Sequence, residues 1–196
     1  MARTREFDTG AVVDGAMAVF WRKGYAATSI QDLVAATGVG RGSLYAAFGS
    51  KDGLYEAALV RYAEQSGAAN AERLGRPAPV REVLYDLLIG VVDTTIRDPE
   101  RRGCLITNTA VERLPRDPVA GRVVGEALDK LALAVAAVLS AGRDRGELPR
   151  EIDITATTDL VVTTMQGLRV QAKAGADRRR LAAVVDLMLS VLPVQE

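Results

Sequence analysis

Histidine is absent from the 196 residues, and cysteine occurs once, at Cys104. The first absence removes the commonest general base and the commonest neutral metal ligand, which lowers the case for an enzyme. A lone thiol can build neither a thiolate zinc site nor an intrachain disulfide, so no metal and no cofactor are expected and a reducing compartment fits best. Charge of one sign is also lacking: Lys+Arg and Asp+Glu stand at 25 each. No whole-molecule field therefore points to nucleic acid, and any such binding must be local. No run approaches the roughly 18 apolar residues of a membrane span. The start, MARTREFDTG, has no apolar h-region. These absences predict a soluble, cytoplasmic protein without a membrane partner. Alternating β patterns of useful length are missing too.

What is present is helical spacing. With 48% hydrophobic residues the chain can build one or two helical domains with a real core. Val12, Val13, Ala16, Met17, Phe20 and Trp21 form one stripe, predicting a helix from about Asp8 to Lys23 that Gly24 ends. Thr28 or Ser29 caps a short helix carrying Ile30, Leu33 and Val34, and Gly38 breaks it. A third short helix, Gly40 to about Phe48, buries Leu44 and Phe48, and Ser50 caps the next. Leu54, Tyr55, Ala58, Leu59 and Tyr62 line that helix until RPAP interrupts. Val80, Val83, Leu84, Leu87, Leu88, Val91 and Val92 define another, closed by Asp98-Pro99. CLITNTAVERL reads as a shorter helix, and a long one runs from about Val119 to Ala141.

The last two segments differ. ITATTDLVVTTMQGLRVQAKAG has small or apolar residues on two faces, Val161/Met165/Leu168/Ala172 and Leu160/Thr164/Gly167/Gln171. RRRLAAVVDLMLSVLP is apolar nearly all round, through Leu181, Val184, Val185, Leu187, Met188, Leu189, Val191 and Leu192. A helix apolar on every side must be covered on every side, and a second subunit is the natural cover. The other reading is an ordinary core helix. The expected dimer interface is Leu160, Thr164, Gly167, Leu168, Gln171, Leu181, Val184, Val185, Met188 and Leu192.

Residues 28–48 place two short helices around a Thr-Gly-Val joint, the helix-turn-helix layout, in which the second helix enters the DNA major groove. Ile30, Leu33, Val34, Val39, Leu44 and Phe48 supply its core. The outward face, Gly40 to Ser43 with Tyr45 to Ala47, is small or polar: small residues let the backbone approach base edges, while Arg41, Ser43 and Tyr45 can donate hydrogen bonds. Residues 1–51 carry six Lys/Arg against four Asp/Glu, a modest local excess. Arg3 and Arg5 read either as a frayed end or as a basic arm for a minor groove.

The stretch GYAATSIQDLVAATGVGRGSLYAAFGSKDGLYEAAL resembles the N-terminal domain of TetR-family (tetracycline-repressor-type) transcriptional regulators. It shares an aromatic, a Thr-Ser helix start, Gly-Val in the turn, Leu-Tyr then Phe, and Lys-acid-x-Leu at the next helix. The resemblance implies a homodimer binding an operator in double-stranded DNA, with a small-molecule effector held by the larger domain. On that basis Thr28 and Ser29 contact phosphate, Arg41, Gly42 and Ser43 open the recognition helix, and Tyr45 and Lys51 reach the backbone. Each has a plainer rival: Tyr45 as cover, Arg41 as a solvated charge, Lys51 paired with Asp52 or Glu56. Ala47 departs from the His or Tyr that many relatives carry before the Phe.

The sequence says less about the effector. Sites of this kind are mostly apolar with few polar anchors, which nominates Tyr62, Tyr85, Leu88, Cys104, Asn108 and Met165. Asn108 is either a buried anchor or a surface amide. Cys104, after Arg101 and Arg102 at a helix start, is either a reactive thiolate or a small buried hydrophobe. The expectation is an all-α protein: a three-helix DNA-binding domain over residues 1–50, and a helical ligand-binding and dimerisation domain over 51–196. Its expected role is a ligand-released repressor acting on a near-palindromic operator. The alternatives are a helical small-molecule-binding protein without DNA binding, or a histidine-independent enzyme.

Overall fold

The computed structural model describes residues 7–192, which form nine α-helices and no strand among the described residues. Arg3 and Arg5 lie outside them. In order these are α1 Thr9–Lys23, α2 Ile30–Thr37, α3 Arg41–Phe48, α4 Lys51–Leu74, α5 Val80–Arg97, α6 Leu105–Arg113, α7 Pro118–Asp144, α8 Ile154–Lys173 and α9 Arg178–Ser190.

Local chemistry sets the early boundaries. Asp8 caps α1 by accepting from the amides of Gly10 and Ala11. Ser29 caps α2 in a reciprocal box: its Oγ accepts from the Asp32 amide while Asp32 accepts from the Ser29 amide. Gly38 closes α2 at φ 68°, a left-handed conformation that costs glycine nothing. Ser50 accepts from the Gly53 amide at 3.1 Å and so opens α4.

The chain divides into two compact units. The first takes Met1–Gln65 and Leu105–Val124, and the second Ser66–Cys104 and Gly125–Glu196. The unit that holds the helix-turn-helix thus also contains the start of α4, all of α6 and the start of α7. Its core joins Val12, Ala16 and Phe20 of α1 to Leu33, Leu44, Leu54, Ala58 and Leu59. Phe20 packs edge-on against Tyr55 at 4.8 Å, Tyr55 against Tyr25 at 5.0 Å, and Trp21 against Tyr62 at 4.9 Å.

In the second unit α5 is the centre. Leu84, Leu87, Leu88 and Val92 are packed with Val135 and Leu139 of α7, Val161 and Met165 of α8, and Leu181 and Val185 of α9. This core is almost wholly aliphatic.

Candidate functional site

The α2–turn–α3 element has one anchor and one open face. Leu44 is the buried residue of α3, while Arg41, Gly42, Ser43, Ala46 and Ala47 are exposed and Tyr45 is half-buried. The Arg41 guanidinium lies 5.2 Å from the centre of the Tyr45 ring, so the two form one amphipathic patch. A Cβ added at Gly42 would meet nothing within 4 Å. Glycine inside a helix costs about 1 kcal/mol relative to alanine, and no packing in this protein requires it there.

Thr28 departs from the expectation. It is 2% exposed, and its hydroxyl donates to the Gly24 carbonyl at 2.6 Å. The side chain completes the α1–α2 turn, which leaves Ser29 as the exposed member of the pair. Lys51 pairs with neither rival carboxylate in the way its neighbours suggested. Its ammonium donates to the Tyr25 carbonyl at 2.6 Å and stands 4.1 Å from the centre of the Tyr25 ring. Burial lowers its pKa.

Beneath this face lies a latch that local sequence did not reveal. Both carboxylate oxygens of Glu112, at the end of α6, accept from the loop before α2: from the Tyr25 amide at 2.9 Å and the Ala26 amide at 2.8 Å. Next to it, the Arg113 guanidinium lies 3.6 Å from the centre of the Tyr25 ring. Arg113 donates to Asp52 at 2.8 Å and, through Nε, to Asp117 at 2.8 Å. The Tyr25 hydroxyl donates to the same Asp52 oxygen at 2.7 Å. Burial works against the Arg113 charge, but the bonds to Asp117, Asp52 and Tyr25 outweigh it and its pKa is raised. Bonds to Tyr25 and Arg113 lower the Asp52 pKa. Partners 86 and 87 residues apart give no periodic or motif signal, so CLITNTAVERL by itself does not mark Glu112 and Arg113.

The six expected effector residues are spread over both units. Tyr62 and Asn108 belong to the first; Tyr85, Leu88, Cys104 and Met165 belong to the second. Leu88 and Met165 are fully buried in the aliphatic core. Cys104 is buried just ahead of α6. Tyr85 is half-buried and lines a cavity of about 370 Å³ with Arg81 and Asp186.

The expected dimer residues separate into two groups. Leu168, Leu181, Val185, Met188 and Leu192 are buried within the second unit, so packing inside the subunit already accounts for them. Leu160, Gly167, Gln171 and Val184 are exposed and Thr164 is half-buried. The outward face of α9 also includes Leu187, at 68% exposure, and Val191 follows as its exposed C-cap; Val170 adds to the outward face of α8. The final helix is apolar all round because one side serves its own core and the other remains uncovered.

A helix-turn-helix with a clear outer face, in a chain otherwise made of helices, defines the class of protein. Residues 12–58 match the family model for bacterial regulatory proteins, tetR family, and residues 82–188 match that for the tetracyclin repressor-like C-terminal domain. The chain is 39% identical to the uncharacterized HTH-type transcriptional regulator YezE of Bacillus subtilis (strain 168), over 98% of this chain and 100% of that protein. It is 29% identical to the HTH-type transcriptional repressor ComR of Escherichia coli (strain K12), over 97% of this chain and 91% of that one. Among solved structures, a cysteine mutant of the TetR family transcriptional regulator CifR, complexed with 26-bp double-strand operator DNA, aligns with a TM-score of 0.87. Its identity is 33%, covering 98% of this chain and 100% of that one. The chain belongs to the tetR family of bacterial regulatory proteins, which are transcriptional regulators and not enzymes. No helix among the described residues is long and apolar enough to cross a membrane.

Proposed function

We propose that the chain is a repressor that grips a near-palindromic operator as a homodimer and lets go when a small molecule binds its helical domain. The observation that carries this is the outer face of α3. Arg41, Gly42 and Ser43 stand exposed on a helix whose inner residue, Leu44, is fixed, and Gly42 serves no contact within the protein. A helix built that way suits close approach to base edges. Ser29, Tyr45 and Lys51 are the proposed phosphate contacts, and the functional division falls at residues 50 and 51. The proposed dimer surface is Leu160, Thr164, Gly167, Gln171 and Val184, extended to Leu187. Two-fold symmetry then requires an operator of matching symmetry. Such a protein works where the DNA is, in the cytoplasm.

The effector's route starts from helices α5 to α8, where Tyr85, Leu88, Cys104 and Met165 belong to the second unit, with Tyr62 and Asn108 in the first. Helix α4 supplies residues to both units, and α6 follows Cys104 directly before delivering Glu112 to the α2 loop. A ligand that prefers one arrangement of these helices shifts operator affinity, and the operator must shift ligand affinity by the same factor. The test is a mobility-shift titration on the DNA upstream of the protein's own gene at several salt concentrations. Expected are saturable binding, loss of sequence discrimination in Arg41→Ala, and a salt slope about one unit shallower in Lys51→Ala. Equal affinity of both variants and the parent on every duplex would remove the groove assignment.

A further inference from the structure

Arg169 of α8 is the one charged side chain among the described residues that is buried, at 9% exposure. Its position is held by its neighbours along the helix. Met165, one turn earlier, and Ala172, one turn later, are fully buried in the aliphatic core, and half-buried Val162 packs against the same core. Among the partly buried guanidinium groups, Arg73 and Arg101 donate to the carbonyls of Ala69 and Ala172 at 3.3 and 3.2 Å, while others have carboxylate partners: Asp52 and Asp117 for Arg113, and Asp98 for Arg102. Arg169 has none. Its hydrogen bond is from Nη1 to Oε1 of Gln166, at 3.3 Å, and no carboxylate of the described residues lies within ion-pairing distance of it.

A guanidinium offers five N–H donors and does not shed its proton under any condition in which the protein is folded. A buried lysine can be neutralised by losing a proton, but an arginine cannot. Burial of an unpaired charge costs several kcal/mol in effective terms, whereas a carboxylate meets the guanidinium fork with two parallel bonds.

We infer that Arg169 is the anchor for the effector and that the effector is an organic monocarboxylate with an apolar body. The one buried guanidinium fork matches one carboxylate. The apolar body follows from Met165, Ala172 and Val162 on the adjoining turns, where the polar groups are Gln166, Lys173 and Arg101, whose Nη1 donates to the Ala172 carbonyl at 3.2 Å. This rests on the proposed role of the helical domain in holding the effector, and it adds the ligand's chemical class.

The test uses the full-length protein, with Arg169→Met to remove charge at similar volume and Arg169→Lys to keep charge but lose the fork. The probes are sodium hexanoate and sodium benzoate, their neutral amides, and inorganic phosphate, read by thermal unfolding and by calorimetric titration. Expected is a rise in the unfolding midpoint of the parent with a carboxylate but not with its amide. Arg169→Met should lose at least about tenfold in carboxylate affinity, and Arg169→Lys less. With no probe added, Arg169→Met should unfold at the same temperature as the parent or higher, because the variant removes an unpaired buried charge. That last readout separates an anchor from a structural arginine, whose loss would lower the midpoint. Stabilisation by the amides equal to that by the carboxylates, by phosphate in preference to both, or by neither carboxylate overturns the inference. So does undiminished carboxylate binding by Arg169→Met. Operator binding by the same preparations keeps the two readings apart: a parent that binds operator but ignores every carboxylate refutes the ligand class alone.

Discussion

The two units are held together by different chemistry. Every aromatic residue of the chain except Tyr85 belongs to the first, where rings, guanidinium and carboxylates meet at fixed angles around Tyr25 and Tyr55. The second is leucine, valine and alanine packed across α5, α7, α8 and α9, with one unpaired cation set among them. Directional contacts have one good geometry, and those of Glu112 fix the Tyr25 and Ala26 amides in the loop before α2. Aliphatic packing is non-directional and tolerates repacking of similar volume, which suits a domain that must rearrange around a ligand.

The largest effect should come from the uncovered side of the second unit. Leu187→Asp combined with Val191→Asp places charges where exposed apolar side chains now stand, without touching the buried side of α9. The subunit should fold, sediment as a monomer at micromolar concentration, and bind operator about a hundredfold more weakly, because two linked half-site contacts become one. A dimer that persists with full affinity would place the interface elsewhere.

Next in size is a direct contrast of the two cores. Arg113→Met leaves the partly buried Asp117 and the exposed Asp52 without their cation and strips it from the Tyr25 ring. A loss of about 3 kcal/mol in urea unfolding is expected. Leu88→Met, in the middle of the aliphatic core, should cost less than about 1.5 kcal/mol although Leu88 is fully buried. Equal losses would mean that the two cores are equally rigid.

How much of this was legible in the sequence follows the same division. Helix positions came from apolar spacing and caps, and Asp8, Ser29, Gly38 and Ser50 stand where those rules put them. The outer face of α3 is readable because Leu44 and Phe48 are the residues expected to face in; the structure buries Leu44 and leaves Phe48 half-buried. Thr28 was misread because a hydroxyl next to a cap can bond backward to a carbonyl as easily as outward, and sequence does not choose between them. The Glu112 latch and the burial of Arg169 are products of tertiary packing between distant residues. The spacing makes only the final helix apolar nearly all round, and burial is what separates Leu181 and Val185, which face in, from Leu187 and Val191, which face out.

Gly42→Ala should give a smaller, two-sided result. The new methyl group meets nothing in the protein, and alanine is the better helix residue, so the free protein should gain up to about 1 kcal/mol in stability. Operator affinity should fall several-fold in the same variant, since the methyl enters the space a duplex would occupy. A gain in both, measured by urea unfolding and by fluorescence anisotropy, would mean that the backbone at Gly42 does not approach DNA.

The smallest effect concerns pH and tests whether the directional contacts of the first unit extend to its surface. Asp32 accepts from Lys23 at 2.6 Å and from the amide and hydroxyl of Ser29 at 2.9 Å each. The Lys23 bond contributes most, and together these contacts hold the Asp32 carboxyl at about 2, below its ordinary 3.8. A depressed folded-state pKa means that the unfolded chain takes up the proton first. The contribution to stability is therefore complete above the ordinary value and is lost as pH falls from 3.8 through about 2. Asp32→Asn should make the urea midpoint fall less steeply over that window than it does in the parent, and should weaken the α2 cap at neutral pH. The carboxylate is exposed, so solvent screens it and the change in slope should be slight. Asp52 and Asp117, also depressed, titrate in the same direction and remain in the variant. The difference between the two acid profiles, and not either profile alone, isolates the Asp32 share. Identical slopes would show that the bonds made by Asp32 in the folded protein are matched in the unfolded chain, confining the directional contacts to the Tyr25 cluster.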